Sequence, residues 1–138
     1  MNHECIDANV IVKYLIETPK TIESPFKGVF SFFEKLEAGT RTVLLPEIVL
    51  FQAYFVLISY YGVPGKEAAG QLLKIIKFKG IHIPEKAIAL ESLLLLQQVK
   101  TDIVDAWIIA YSKIKKIPAV YSFDKGFTVH GIKLSKVE

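Results

Sequence analysis

Short apolar runs alternate along the chain with longer stretches in which apolar residues recur every three or four positions. The first run, Glu4 to Asp7, predicts a short strand, and it leads into a helical stretch from about Ala8 to Ile16 that Thr18 and Pro19 end. Phe26, Val29, Phe30, Phe33 and Leu36 then recur at helical spacing and describe an amphipathic helix that Gly39 can close. Thr42 to Leu45 is β-branched and apolar and predicts a second strand, stopped by Pro46. Pro46 and Glu47 open a long helix running to about Tyr61, because proline is tolerated in a first turn and an acid there suits the helix dipole. Glu67 to Phe78 and Glu85 to Val99 are helical in period, and Ile81 to Ile83 between them is either a very short strand or an extended connection. Thr101 is placed to cap a helix from Asp102 to about Lys115, and Pro118 to Phe123 reads as the last strand.

Strands separated by helical crossovers imply an α/β sandwich with a mainly parallel sheet, since parallel neighbours need a long return path. No internal repeat, low-complexity tract or linker interrupts the pattern, so residues 1–138 read as one domain. In such sheets ligands sit outside the carboxyl ends of the strands, and chemistry is expected there. Ile48 to Gly65 carries no charge, but Gly62, Pro64 and Gly65 shorten the helix to roughly 21 Å, against about 30 Å of bilayer hydrocarbon. A buried helix is expected, not a membrane span.

Composition narrows the picture further. Of 138 residues, 51% are hydrophobic and 22% charged, which favours a packed domain over disorder. A net charge of +3 is too mild to argue for nucleic-acid binding by itself. Cys5 stands alone, which excludes an internal disulfide, and no secretory leader pattern is visible, so a cytoplasmic, reduced protein is expected. His3, His82 and His130 lack ligand spacing and read as structural or surface residues. Phosphate-cradling glycine loops, nucleophile elbows and Cys/His clusters are missing from the sequence.

The remaining candidates for chemistry are acids. Asp7 follows the first strand, Asp124 follows the last, and Asp105 lies about one turn into the helix preceding that last strand, among the apolar residues Val104, Trp107, Ile108 and Ile109. If such carboxylates approach to about 4 Å, each pair repels by about 4 kcal/mol at an effective dielectric near 20. Protonation, a cation such as Lys125, or a divalent metal must relieve this, and hard oxygen donors favour Mg²⁺ or Mn²⁺. Plainer roles compete at each position. Asp7 can cap the helix at Ala8, Asp102 suits a first helical turn while lying three residues from Asp105, and Asp124-Lys125-Gly126 is an ordinary turn sequence.

Three segments resemble a known family. Cys5-Ile6-Asp7-Ala8-Asn9 resembles the opening of PIN domains, Val104-Asp105-Ala106-Trp107 their Asp-Ala helix start, and Tyr121-Ser122-Phe123-Asp124-Lys125-Gly126-Phe127 their last strand with Ser or Thr, then Asp, then Phe. The resemblance implies a three-layer α/β/α sandwich and a metal-dependent endoribonuclease, with Asp7, Asp105 and Asp124 holding Mg²⁺ or Mn²⁺ and Asn9 and Ser122 as polar support. It also implies an RNA substrate, commonly a homodimer, and, by analogy with the toxin halves of VapBC pairs, a small antitoxin partner. In one place the chain departs from the pattern. Leu45-Pro46-Glu47-Ile48-Val49-Leu50-Phe51-Gln52 puts Gln52 where the family usually has Glu, keeping a carbonyl oxygen but losing a charge that draws in a cation. Glu47 is a poor substitute, being about 140° away around the helix, and the sequence does not fix the position of Glu91. The competing expectation is therefore a catalytically impaired PIN-fold module that binds RNA or protein. A structure-specific DNA nuclease is disfavoured by the absence of a large insertion.

Lys113, Lys115, Lys116 and Lys125 lie in or after the final helix and last strand, where they either contact RNA phosphates or form a solvated helix end. The aromatic series Phe26, Phe30, Phe33, Phe51, Tyr54 and Phe55 is expected to be core, with a dimer or antitoxin interface as the alternative.

Overall fold

Asp7 sets the first boundary. Its side chain accepts a hydrogen bond from the Ala8 backbone N–H at 2.8 Å, so the chain turns from strand β1 (Glu4–Cys5) into helix α1 (Ala8–Ile16) sooner than the apolar run suggests. A computed structural model describes residues 4–138, which leaves His3 outside the described residues. After α1 come a 3-10 turn (Ser24–Phe26), α2 (Val29–Ala38), β2 (Val43–Leu44), α3 (Glu47–Ser59), α4 (Gly65–Ile76), β3 (Ile81–His82), α5 (Lys86–Gln98) and α6 (Ile103–Ile114). The chain finishes with β4 (Ala119–Tyr121), a second 3-10 turn (Lys125–His130) and β5 (Lys133–Ser135).

All strand pairing is parallel, as the alternation of strands and helices requires. One sheet has the order β1-β2-β3, with Glu4 opposite Val43 and Val43 opposite Ile81; in the other, β4 pairs with β5 and Ala119 faces Lys133. Helices packed around parallel strands give the PIN-like α/β/α architecture. Ile81 to Ile83 resolves into a strand. Its close approach to the end of α2 and the loop before β2 depends on Gly80, where a Cβ would run into the Arg41 carbonyl oxygen; the glycine N–H donates to the Leu36 carbonyl at 2.8 Å and its own carbonyl accepts from Val43 at 2.8 Å.

Three differences from the sequence reading have physical causes. Helix α2 starts at Val29, after a separate 3-10 turn that Pro25, lacking an N–H, helps to open and the Lys27 N–H closes on the Ser24 carbonyl; Phe26, in that turn, is 42% exposed. Helix α6 is capped by Asp102, whose carboxylate accepts from the Asp105 N–H at 2.8 Å, and not by Thr101. Strand β5 follows the last predicted strand. Its signal was a short alternation of apolar and polar positions from Ile132 to Leu134, which the left-handed turn at Gly131 introduces.

The main core gathers Ile11, Leu36, Leu45, Leu50, Leu57 and Leu72 with buried neighbours from Ile6 to Ala106. Helix α3 is buried along Leu50, Ala53, Tyr54 and Leu57 while Ile48 is exposed, and among the described residues no helix is long and apolar enough to cross a membrane. The aromatic series divides. Phe33 is buried and stacks on Tyr14 with ring centroids 4.1 Å apart, whereas Phe26 and Phe55 are exposed. Edge-to-face packing of Phe51 on Trp107, 5.0 Å between centroids, joins α3 to α6. Buried Ser92 donates to its own helix at Ile88, which satisfies its hydroxyl between α5 and α6. A smaller cluster of Ile109, Phe127 and Ile132 fastens the β4–β5 unit to α6.

Candidate active site

Two segments bring acids together. The first is the start of α6, where Asp102 caps the helix with Oδ1 and Asp105 follows one turn on. The second is the turn after β4. There the Asp124 N–H donates to the Ser122 hydroxyl at 3.0 Å, and Asp124 Oδ1 accepts from the Gly126 N–H at 2.8 Å. Gly126 lies so close that a Cβ on it would sit 3.0 Å from the same oxygen. Phe127, 4% exposed, anchors this turn against Ile109 of α6, and so places Asp124 beside the start of that helix.

Asp102, Asp105 and Asp124 line one hollow of about 420 Å³, together with Lys100, Thr101 and His130. Asp105 is half-buried and its carboxylate makes no hydrogen bond or ion pair. Burial pushes its pKa above the ordinary carboxylate value, and the negative charges of Asp102 and Asp124 push it further. Asp102 acts on a second group too. The buried Tyr54 hydroxyl is raised first by desolvation and then by the Asp102 charge, which puts that tyrosine of α3 within electrostatic reach of the α6 cap.

The donor set has the chemistry of a hard-cation site. Asp102 and Asp124 each commit one oxygen to a backbone N–H and leave Oδ2 without a hydrogen bond, while both Asp105 oxygens are free. No cation neutralises these acids: among the described residues the ion pairs are Lys115 with Glu85 at 3.5 Å and Lys136 with Glu138 at 3.7 Å. The carboxylates surround the hollow and do not close on a point, and among the described residues no three acidic, histidine or cysteine side chains are grouped tightly enough to hold one ion.

The other expected site residues are distributed differently. Asp7 sits at the carboxyl end of β1 as the α1 cap, exposed, with Oδ2 free, and it does not line the hollow. Asn9 lines a separate cavity of about 780 Å³ bordered by Lys13, Phe26, Tyr60 and Tyr61. Gln52 is exposed on α3 and reaches neither cavity, although its neighbour Phe51 packs on Trp107. Lys113 stands near the opposite end of α6 from Asp105, about 12 Å along the axis at 1.5 Å per residue, and Lys116 lies beyond that end, whereas Lys125 directly follows Asp124. Lys100, Thr101 and His130 were not foreseen as lining residues. The adjacency of Lys100 and Thr101 to Asp102 was available as a signal; His130 depends on a 3-10 turn that periodicity does not reveal.

Comparison with curated proteins and with solved structures gives no match. A family model does match: PIN domain, over residues 5–133. PIN domains are in general metal-dependent nucleases that act on RNA. With parallel strands, acids after β1 and β4 and at the start of α6, and a match over almost its whole length, the chain belongs to the PIN domain family.

Proposed function

We propose that this protein is a divalent-metal-dependent endoribonuclease and that its active site is the acidic hollow between α6 and the turn after β4. The observation that carries the reading is Asp105, a half-buried carboxylate with no hydrogen-bond or ion-pair partner, facing the charges of two further aspartates. An arrangement of this kind costs folding stability unless it serves a positively charged ligand. Asp105 and Asp124 would hold Mg²⁺ or Mn²⁺, with Asp102 beside them; Asp7, outside the hollow at the end of β1, is included as a further acid by family analogy alone. When bound, such an ion supplies Lewis acidity toward the scissile phosphate and toward water.

The chain's own groups prepare the site. The Gly126 N–H fixes one Asp124 oxygen and the Asp105 N–H fixes one Asp102 oxygen, so both carboxylates are oriented before any ligand arrives. Ser122 braces the Asp124 backbone. Lys100, in the hollow, and Lys125, beside it, offer positive charge to the flanking phosphates of a bound strand. Hydrolysis by in-line attack of water breaks the P–O3′ bond, leaves the phosphate on the 5′ side of the downstream product, and returns a proton to the 3′ oxygen. By family analogy we further propose a VapC-like toxin working as a homodimer with a small antitoxin.

Gln52 favours a second reading. With no carboxylate at that position, a PIN scaffold that binds RNA or protein without cutting it is the alternative. Cleavage of a mixed RNA pool with and without Mn²⁺, by wild type, Asp105→Asn and Gln52→Glu, separates the two. Metal-dependent cleavage lost in Asp105→Asn supports the nuclease; an inert wild type with activity gained in Gln52→Glu refutes it in favour of the scaffold.

A further inference from the structure

The chain segment that delivers Asp124 to the acidic hollow carries exposed apolar side chains that neither folding nor metal binding explains. Phe123, immediately before Asp124, is 86% exposed, and Tyr121, the last residue of β4, is 76% exposed. Val129, in the wall of the hollow, is 83% exposed. Among the described residues neither ring packs on another ring, lies under a cation or takes part in a hydrogen bond. Leaving a phenylalanine in water forgoes the stabilisation its burial would give, so two bare aromatic rings just before Asp124 are available to a ligand that reaches the hollow.

We propose that Phe123, together with Tyr121, is a stacking platform for an unpaired RNA base adjoining the phosphate that meets the acidic hollow. The inference rests on the ribonucleic-acid reading of that hollow and adds to it the residues that select an unstacked strand. Exposure alternates here, with Ser122 half-buried between two exposed rings, which places Tyr121 and Phe123 on the same side of the chain as it leaves β4. Two residues of extended chain span about 6.6 Å at 3.3 Å per residue. This is close to twice the roughly 3.4 Å between neighbouring bases in a stack, the spacing that two rings would need to hold one base between them. Bases still paired in a duplex have their faces covered and cannot enter, which would make the platform a filter for single strands.

Positive charge two residues after Phe123 and within the hollow favours a nucleic acid over a second copy of the chain. Lys125 follows Asp124 and is exposed, and Lys100 lines the hollow, so cations flank the path that a backbone would take past Phe123. A protein surface seated on Val129 would instead roof the hollow and bury its acids.

The test measures binding of short fluorescent single-stranded RNAs to the full chain in an Asp105→Asn background, which removes cleavage, with Phe123→Ala, Phe123→Leu and Phe123→Trp added in turn. Base-on-aromatic stacking predicts a loss of affinity of about 5-fold or more for Phe123→Ala, an equal loss for Phe123→Leu, and recovery in Phe123→Trp. Scanning an abasic site along the RNA should find one position where the base and the ring are coupled: removing either weakens binding, and removing both adds nothing further. Tyr60→Ala, an exposed aromatic at the far end of α3, should leave binding unchanged. Unaltered binding in Phe123→Leu, or losses that add at every abasic position, overturns the platform. If wild type cuts RNA while the Phe123 variants bind like the parent, the platform alone fails; if no variant binds RNA, the platform fails with the ribonuclease reading. A Phe123→Ala protein that binds RNA normally but loses self-association in sedimentation gives the rings to a second copy and refutes the proposal.

Discussion

Replacing Asp102 by Asn and by Ala separates two effects that one carboxylate exerts at the start of α6. Asn keeps the cap, because its side-chain oxygen can still accept from the Asp105 N–H, but it removes the charge that Asp105 feels. Ala removes both. Losing an N-cap of this kind costs about 1 kcal/mol, and for a chain of this size that corresponds to a drop in Tm of roughly 4 °C. Asn is expected near wild-type stability at neutral pH, since relief of repulsion at Asp105 offsets the lost attraction between a negative charge and the helix N-terminus. Thermal unfolding at pH 7 without divalent ions should therefore rank Ala about 1 kcal/mol below Asn. Titration of the Asp105 carboxyl by NMR should show its pKa lowered in both variants by the same amount, because both remove the same charge. Two results would refute the reasoning: Ala as stable as Asn, which would mean that the cap contributes nothing, or an Asp105 pKa indifferent to both substitutions.

The raised pKa of Asp105 fixes the sign of a pH effect. Folded protein holds that proton more tightly than unfolded chain, so stability falls as pH rises from the ordinary carboxylate value through the folded one; Asp105→Asn should flatten that part of the curve in urea titrations from pH 3 to 7, and an unchanged slope would contradict the assignment. Gly80→Ala forces a methyl group into the Arg41 carbonyl and should cost about 3 kcal/mol or more, read as a lower urea midpoint; a loss below about 1 kcal/mol would show that the approach is not close. Lys116 adopts φ 57° just past the end of α6, so Lys116→Gly should stabilise the fold by about 0.5–1 kcal/mol in thermal unfolding. The same variant should leave the salt dependence of RNA binding unaltered, in contrast to Lys125→Ala, which should make it shallower.

How far the sequence revealed the molecule varied with the kind of signal. Helices α1 and α3 to α6 follow from long periodic stretches bounded by Pro or Gly, and β1 to β4 from apolar runs between them. Phe26 was misplaced because periodicity alone does not register that Pro25 detaches its turn from α2. Strand β5 escaped notice because three residues with one apolar side chain carry little pattern. At the candidate site, motif and position singled out Asp105 and Asp124 in the sequence, and their juxtaposition in the fold depends on Phe127 packing against Ile109, a contact between residues far apart in sequence. Asp7 showed both of its readings at once, as a helix cap and as an acid at the end of β1. The distance of Lys113 and Lys116 from the acids follows from the direction of α6, which sequence order alone does not convert into a position.

The split between the large core and the small cluster of Ile109, Phe127 and Ile132 bears on how the molecule opens. The β4–β5 unit that carries Asp124 is held by few buried apolar side chains, each contributing about 1.5–3 kcal/mol, whereas β1 to β3 share the main core. Its amides should therefore exchange with solvent through a sub-global opening well below the free energy of complete unfolding. The proposed active site would then be assembled from two cooperative units of unequal stability, and a ligand bridging Asp105 and Asp124 would act as a clasp, slowing exchange in β4 and β5 while barely affecting β2.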